Sequence, residues 1–215
     1  DDVERSDALY VNLLPTVGEL TTAYTSPPVD VNSASIAWSP DSQWLIYDTD
    51  GSLFAVNVAG ASPGAPIPLE PGPSSEPTWL PNSVKLITLD SSTNPTSVAI
   101  LDLLAPEDPQ PLLSGVSFLD FQLNPQGTLF GYRTQLALHL IDIAAPQEPH
   151  IDIPLLESSG SIRSWGWSPD GTFIAAVTDP NADQQRLVRL DGTTVSSPIA
   201  IGGTSTSNIR FEWQP

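Results

Sequence analysis

The sequence predicts an all-β fold assembled from a repeated four-stranded antiparallel unit, and three observations carry that prediction. One turn signature returns every forty-odd residues. It reads Trp38-Ser39-Pro40-Asp41, Trp79-Leu80-Pro81-Asn82, Leu123-Asn124-Pro125-Gln126-Gly127 and Trp167-Ser168-Pro169-Asp170-Gly171, and Trp213-Gln214-Pro215 opens a fifth copy. The segments between these turns are short runs rich in β-branched and aromatic residues, with no sustained helical periodicity. Finally, 14 Gly and 23 Pro punctuate the chain too often for long helices.

Residues 1–7 are a polar lead-in without periodicity. Segment 8–34 follows as a partial repeat: two strand-like runs, Ala8–Leu14 and Glu19–Thr25, parted by Pro15 and Gly18. Four complete repeats occupy 35–75, 76–116, 117–161 and 162–207, and 208–215 begins another. Each complete repeat reads as strands A to D. Strand A ends on Trp38, Trp79, Leu123 or Trp167, so the slot takes any large apolar side chain. In the turn after it, Pro40, Pro81, Pro125 or Pro169 presets φ. Asp41 or Asp170 can bond its own backbone, and Gly171 suits the left-handed residue of a short hairpin. Strand B comes next, at Trp44–Tyr47, Val84–Ile87, Thr128–Phe130 and Phe173–Val177. Strand C spans Leu53–Val58, Val98–Leu103, Leu138–Ile143 and Arg186–Leu190. Strand D follows a proline-rich crossover, at Ile67–Leu69, Pro111–Leu113, Ile151–Ile153 and Pro198–Ile201. Proline there fits an edge strand, where a missing amide donor costs little.

One four-stranded sheet cannot shelter two apolar faces, but radial stacking buries each sheet against its neighbours. The expected architecture is therefore a β-propeller of four-stranded antiparallel blades, four of them complete, with partial blades at both ends. The repeated Trp38, Trp79, Trp167 and Trp213 are expected to wedge between adjacent blades as structural residues. Two closures compete. Strand 208–213 could pair with the N-terminal couplet, or the chain could be an arc of a longer propeller. Ending mid-motif favours the arc, whose open faces a partner would cover.

The Trp-Ser-Pro-Asp-Gly turn and the apolar strands around it resemble the TolB-type repeat, also called the WD40-like or PD-type β-propeller repeat. That repeat occurs in TolB, in the tricorn protease propeller and in propellers of prolyl-oligopeptidase-type peptidases. The resemblance runs from Ala8 to Pro215, strongest at 35–58 and 162–192, while 76–103 and 117–143 lose the Pro-Asp-Gly core. It implies a fold rather than an activity.

Charge narrows the partners. The formal net charge is −18, from 25 Asp+Glu against 7 Lys+Arg, and Lys85 is the one lysine. Such a surface repels phosphate backbones and anionic head groups, so neither nucleic acid nor a membrane is expected as a partner. A protein partner is expected, or other subunits of a larger assembly. With no cysteine, disulfides and thiolate chemistry are excluded, which suits a site outside the cytoplasm: periplasm, cell surface or secreted. With no methionine either, Asp1 is expected to follow a cleavage or the sequence to be an excerpt.

Reaction chemistry is thin. No Gly-x-Ser-x-Gly elbow is expected in the chain, so a hydrolase serine of the peptidase kind is expected to be missing. His139 lies between Leu138 and Leu140 on a C strand and His150 follows Pro149 in a crossover, so they read as one strand-face and one loop histidine. Neither makes a zinc spacing. Asp179, Asn181 and Asp183 resemble the first half of a calcium loop, but Gln184 and Leu190 stand where its glycine and closing acid belong. Asp48, Asp50 and Gly51 are a shorter version, and turn geometry explains both. No catalytic, cofactor or metal residue is therefore expected, with calcium at Asp179, Asn181 and Asp183 as the competing reading. The expected function is a non-catalytic, extracytoplasmic protein–protein interaction or scaffold module. Its rivals are the gating propeller of a larger prolyl-oligopeptidase-type or tricorn-type peptidase, and a calcium- or glycan-binding propeller of a cell-surface assembly.

Overall fold

In the computed structural model the described residues are 8–13, 21–28, 36–49, 52–59, 64–69, 77–90, 92–153, 161–179, 184–191, 194–197 and 199–200. Among them are 19 strands and no helix. The chain divides into two compact units, Asp1–Val116 and Ser117–Pro215.

In the first unit β1 (Ala8–Leu13) pairs antiparallel with β2 (Thr21–Pro28). A four-stranded sheet follows in chain order, β3 (Ile36–Trp38), β4 (Trp44–Thr49), β5 (Ser52–Asn57) and β6 (Ile67–Leu69). A second runs β7 (Thr78–Trp79), β8 (Lys85–Asp90), β9 (Ser97–Asp102) and β10 (Ala105–Leu113). The second unit holds β11 (Asp120–Leu123), β12 (Leu129–Arg133), β13 (Leu138–Asp142) and β14 (Ile151–Ile153), again in order. Its other sheet is β15 (Ser161–Trp167), β16 (Phe173–Asp179) and β17 (Gln184–Asp191), with β18 (Thr194–Val195) and β19 (Ile199–Ala200) both on β17. These antiparallel meanders are β-propeller blades. Pro68 and Pro111 lie on the edge strands β6 and β10, where an absent amide donor is harmless.

The last blade departs from the expected single D strand. Leu190 pairs with Val195 and Leu187 with Ile199, so two short pieces share one edge. Ser196 interrupts them, its amide donating to Arg189 O (3.0 Å) and its hydroxyl accepting from Arg189 N (3.0 Å).

Strand alternation explains why the blades stack. Leu45, Tyr47, Val56 and Val58 form one cluster, whereas Ile46, Leu53, Ala55 and Leu69 join Leu86, Leu101 and Leu103 of the next blade in another. Ile46 lies opposite Ala55 in the β4–β5 register, so alternate residues feed opposite faces. A blade is thus apolar on both sides.

All four turns share one geometry. An amide three residues on donates to the carbonyl before the proline: Ser42 to Ser39 (2.9 Å), Ser83 to Leu80 (3.1 Å), Gly127 to Asn124 (2.9 Å) and Gly171 to Ser168 (2.8 Å). The donor residue is left-handed each time, with φ of 59°, 61°, 64° and 68° respectively. Side chains then satisfy the strand-B amides by different means. The buried Ser39 and Ser168 hydroxyls accept from Trp44 N and Phe173 N (both 2.9 Å) and donate to Asp41 (2.6 Å) and Asp170 (2.5 Å). Asn124 Oδ1 accepts from Thr128 N and Leu129 N (both 2.8 Å), and Asn82 Oδ1 from Lys85 N (3.0 Å). The Ser39 hydroxyl, then the Gln43 amide, hold the Asp41 carboxyl below its ordinary range; the Ser168 hydroxyl, then Thr172, do so for Asp170.

Ser42 carries the left-handed turn without the freedom of glycine. Ser42→Gly should stabilise the protein by roughly 0.5–1 kcal/mol, read as a raised denaturant midpoint at unchanged slope. Ser83→Gly should gain less, because the Ser83 hydroxyl accepts from Asp41 N (3.1 Å) and would be lost.

Candidate functional site

The repeated residues are taken up by the seams between neighbouring blades. In the first unit the Trp79 indole donates to Ala37 O on the preceding blade (3.4 Å), and Trp79 packs on the Ile46–Leu86 cluster. The Asp41 amide reaches Ser83 in the next turn, so Pro40, Asp41 and Pro81 belong to two turns that touch. Trp38 is different. Its side chain is 47% exposed, because the described residues before β3 supply only the couplet β1–β2 and no strand equivalent to the one Trp79 covers.

The second unit has a more polar seam. Gln122 Nε2 donates to Trp165 O (3.1 Å) and Gln126 Nε2 to Asp170 O (2.8 Å). Trp165 Nε1 donates to Asp120 Oδ1 (2.7 Å), and Arg133 grips Asp120 Oδ2 through Nε (2.9 Å) and a terminal nitrogen. The other terminal nitrogen of Arg133 donates to Ile162 O (2.5 Å). Trp165 and Trp167 share a core with Leu138, Leu140 and Ile153. Close approach depends on two glycines. A Cβ on Gly131 would meet the Trp165 ring at 2.5 Å, and one on Gly171 would meet Gln126 Oε1 at 2.2 Å. Pro125 and Pro169 begin these two facing turns. Trp167, though buried, has no acceptor for its Nε1.

A second constellation lies on the β12–β14 sheet, and sequence reading treated its members as unconnected. Tyr132 faces His139 across the β12–β13 register, with ring centroids 5.0 Å apart and planes 23° from parallel. His150 meets the same tyrosine edge-on at 5.6 Å, its Nδ1 2.7 Å from the hydroxyl. His139 Nδ1 lies 2.6 Å from Asp152 Oδ1 on β14. Burial, reinforced by Asp152, pushes the Tyr132 hydroxyl up, so it stays protonated and donates to His150. Burial and then the neighbouring His139 hold His150 below its ordinary range, against the opposing pull of Asp152. The carboxylate can only accept, so His139 carries its proton on Nδ1. Hairpin register was the signal that could have joined Tyr132 to His139; the loop-borne His150 had none.

Among the described residues no three of His, Asp and Glu form a metal-holding group. Of the calcium candidates, Asp179 ends β16, while Asn181 and Asp183 lie outside the described residues, as does Trp213. The letters of a serine elbow do occur, at Gly60-Ala61-Ser62-Pro63-Gly64, contrary to the expectation of none. Residues 60–63 lie outside the described residues, and the strands described on either side are β5 and β6, whereas the elbow joins a strand to a helix.

No protein-family model matches the sequence, and no curated protein matches it. Among solved structures, the chain is similar to a eukaryotic initiation factor, 14% identical with a TM-score of 0.63 over 90% of this chain and 51% of that one. It also aligns with a structure assigned as TolB from Agrobacterium tumefaciens, at 19% identity and TM-score 0.49, over 82% of this chain and 64% of that one. TolB from Acinetobacter baumannii aligns at 16% identity and TM-score 0.48, over 89% and 48%. The chain therefore spans 64% or less of the length of each of these proteins. The likeness is one of fold, as identities this low allow.

Comparing two tryptophans isolates the seam hydrogen bond. Trp165→Phe should cost about 1.5–3 kcal/mol more than Trp167→Phe, because only the first removes a bond to a carboxylate. Gly131→Ala should cost about 1–3 kcal/mol by overpacking the same ring. Chemical denaturation of the three variants measures all of this.

Proposed function

We propose that this chain works outside the cytoplasm as a non-catalytic, TolB-like β-propeller module that holds no cofactor and binds a protein partner. The observation behind this reading is that the recurring polar residues (Asp41, Ser83, Gln126 and Asp170 among them) bond within or between blades. The repeat is then architecture, and recognition falls to loops that do not repeat. Two of these carry exposed leucines at one end of the β11–β12 hairpin. Leu119 is 60% exposed with its amide donating to Arg133 O (2.7 Å), and Leu136 is 67% exposed in the turn after β12. Apolar side chains standing in a surface of net charge −18 suit a partner with a basic, partly apolar face. The lack of cysteine supports an oxidising compartment.

Capture from extracytoplasmic extracts of the source cell, followed by titration calorimetry on the purified pair, tests this. Saturable binding should weaken with added salt, and Leu119→Asp with Leu136→Asp should reduce affinity at least about tenfold without moving the melting temperature. Added calcium should leave that temperature unchanged. Turnover of peptide or ester substrates by the purified chain, or binding indifferent to both leucines and salt, would overturn the reading.

A further inference from the structure

Equivalent slots in two blades are filled differently. On β4–β5, Tyr47 stacks on Phe54 with centroids 5.6 Å apart and planes at 19°, and Pro68 of β6 lies opposite Phe54. On β12–β13, Tyr132 stacks on His139, and Asp152 of β14 lies opposite His139. Phenylalanine and histidine both satisfy the stacking, so packing alone does not call for the imidazole. His150 then adds a second imidazole against the same tyrosine. These are the chain's two histidines, and it has no cysteine. Histidine is the residue type whose ordinary titration falls between about pH 5 and 8, and the His150 ring is the one bonded to the tyrosine hydroxyl.

We propose that Tyr132, His139, His150 and Asp152 form an acid-sensitive latch, which fastens the 143–150 crossover and strand β14 to the blade at neutral pH and releases them on acidification. In the fastened state neutral His150 presents the Nδ1 lone pair to the Tyr132 hydroxyl. A proton on that nitrogen turns the acceptor into a donor and ends the bond as made. It also sets a positive charge beside His139. Asp152 is the carboxylate that faces both rings and partly offsets that charge, with its side chain 80% exposed. Glu148, in the same crossover, is exposed. The crossover is anchored at its start by Ile143 N to Thr128 O (3.0 Å) and has Pro146 buried; its other bonds are local, Ala144 N to Asp142 Oδ1 (2.8 Å), Ala145 N to Asp142 O (3.1 Å) and Glu148 N to Ala145 O (3.0 Å). Strand β14 is three residues long and lies at the sheet edge, so its opening draws Ile153 from the core it shares with Trp165 and Trp167 but leaves β11–β13 paired. Because the folded state holds His150 below its unfolded value, its contribution is whole above that unfolded value. It is lost as pH falls through the folded one. The β4–β6 sheet, with Phe54 and Pro68 in the matching places, is an internal control.

Hydrogen exchange on the full chain, corrected for intrinsic rates, reads the latch directly. Between about pH 7 and about pH 5.5 the amides of Ile151–Ile153 should lose at least about threefold in protection, while those of β4–β5 hold. His150→Asn keeps an acceptor near the tyrosine and removes the titration, so protection should become equal at both pH values. Unchanged protection in the parent chain, or an acid response that survives His150→Asn, overturns the proposal. Should that variant not fold, ring resonances of the parent decide. The His150 midpoint must fall below the ordinary histidine value and coincide with the opening of β14, and a mismatch overturns the latch.

Discussion

A blade that is apolar on both faces, as the β3–β6 sheet is, cannot stand alone in water, and that constraint governs the rest. Strands such as β4 and β5 send alternate apolar residues to opposite clusters, so each sheet has to be flanked. Burial supplies the attraction but not the alignment, since the hydrophobic effect is non-directional. Alignment comes from hydrogen bonds that cross a seam at one repeat's remove: Trp79 to Ala37, Asp41 to Ser83, Gln122 to Trp165 and Gln126 to Asp170. Several of them use a main-chain carbonyl or amide, so they fix the backbone of one blade against the next whatever side chain stands there.

The two described seams solve this with different chemistry. Around Trp79 the bonds are neutral, whereas the Asp120–Arg133–Trp165 network places an ion pair where the Arg133 side chain is 14% exposed. A pair so placed is modest evidence for stability, because desolvation offsets much of the attraction. Its value is geometric: one carboxylate receives an indole from the next blade and a guanidinium from its own, and that guanidinium also reaches Ile162 O. Gly131 completes the fit, since it stands where the other B strands carry Ile46, Ile87 and Ala175, and the space it leaves holds the Trp165 ring. A small residue on one blade and a large one on its neighbour are a single adaptation.

The turns were legible in the sequence because their causes are local. Proline sets one dihedral, and Ser, Asp or Asn bonds an amide a few residues away. Strand faces followed from period-two alternation. The left-handed conformation of Ser42 and Ser83 was not legible, since there the geometry is imposed by the hairpin rather than by glycine. Seam partners stayed hidden for another reason: they meet a whole repeat apart and often through backbone atoms that any residue would supply. The split of the last D strand at Ser196 also lacked a signal, because its prolines and glycines resemble those of the intact D strands.

A repeat protein allows architecture and function to be separated by asking which departures from the pattern are compensated. Gly131 departs from its counterparts, and Trp165 answers it across the seam. Leu123 departs from Trp38, Trp79 and Trp167, and is still a large apolar side chain. His139, His150 and Asp152 depart together, yet no neighbour changes shape to accept them, since Tyr132 stacks on His139 much as Tyr47 does on Phe54. What they change is charge and hydrogen bonding, with the Tyr132 hydroxyl bonded to His150 and Asp152 bonded to His139. Such a departure is neutral for packing and consequential for hydrogen bonding, so folding of the blade alone does not call for it.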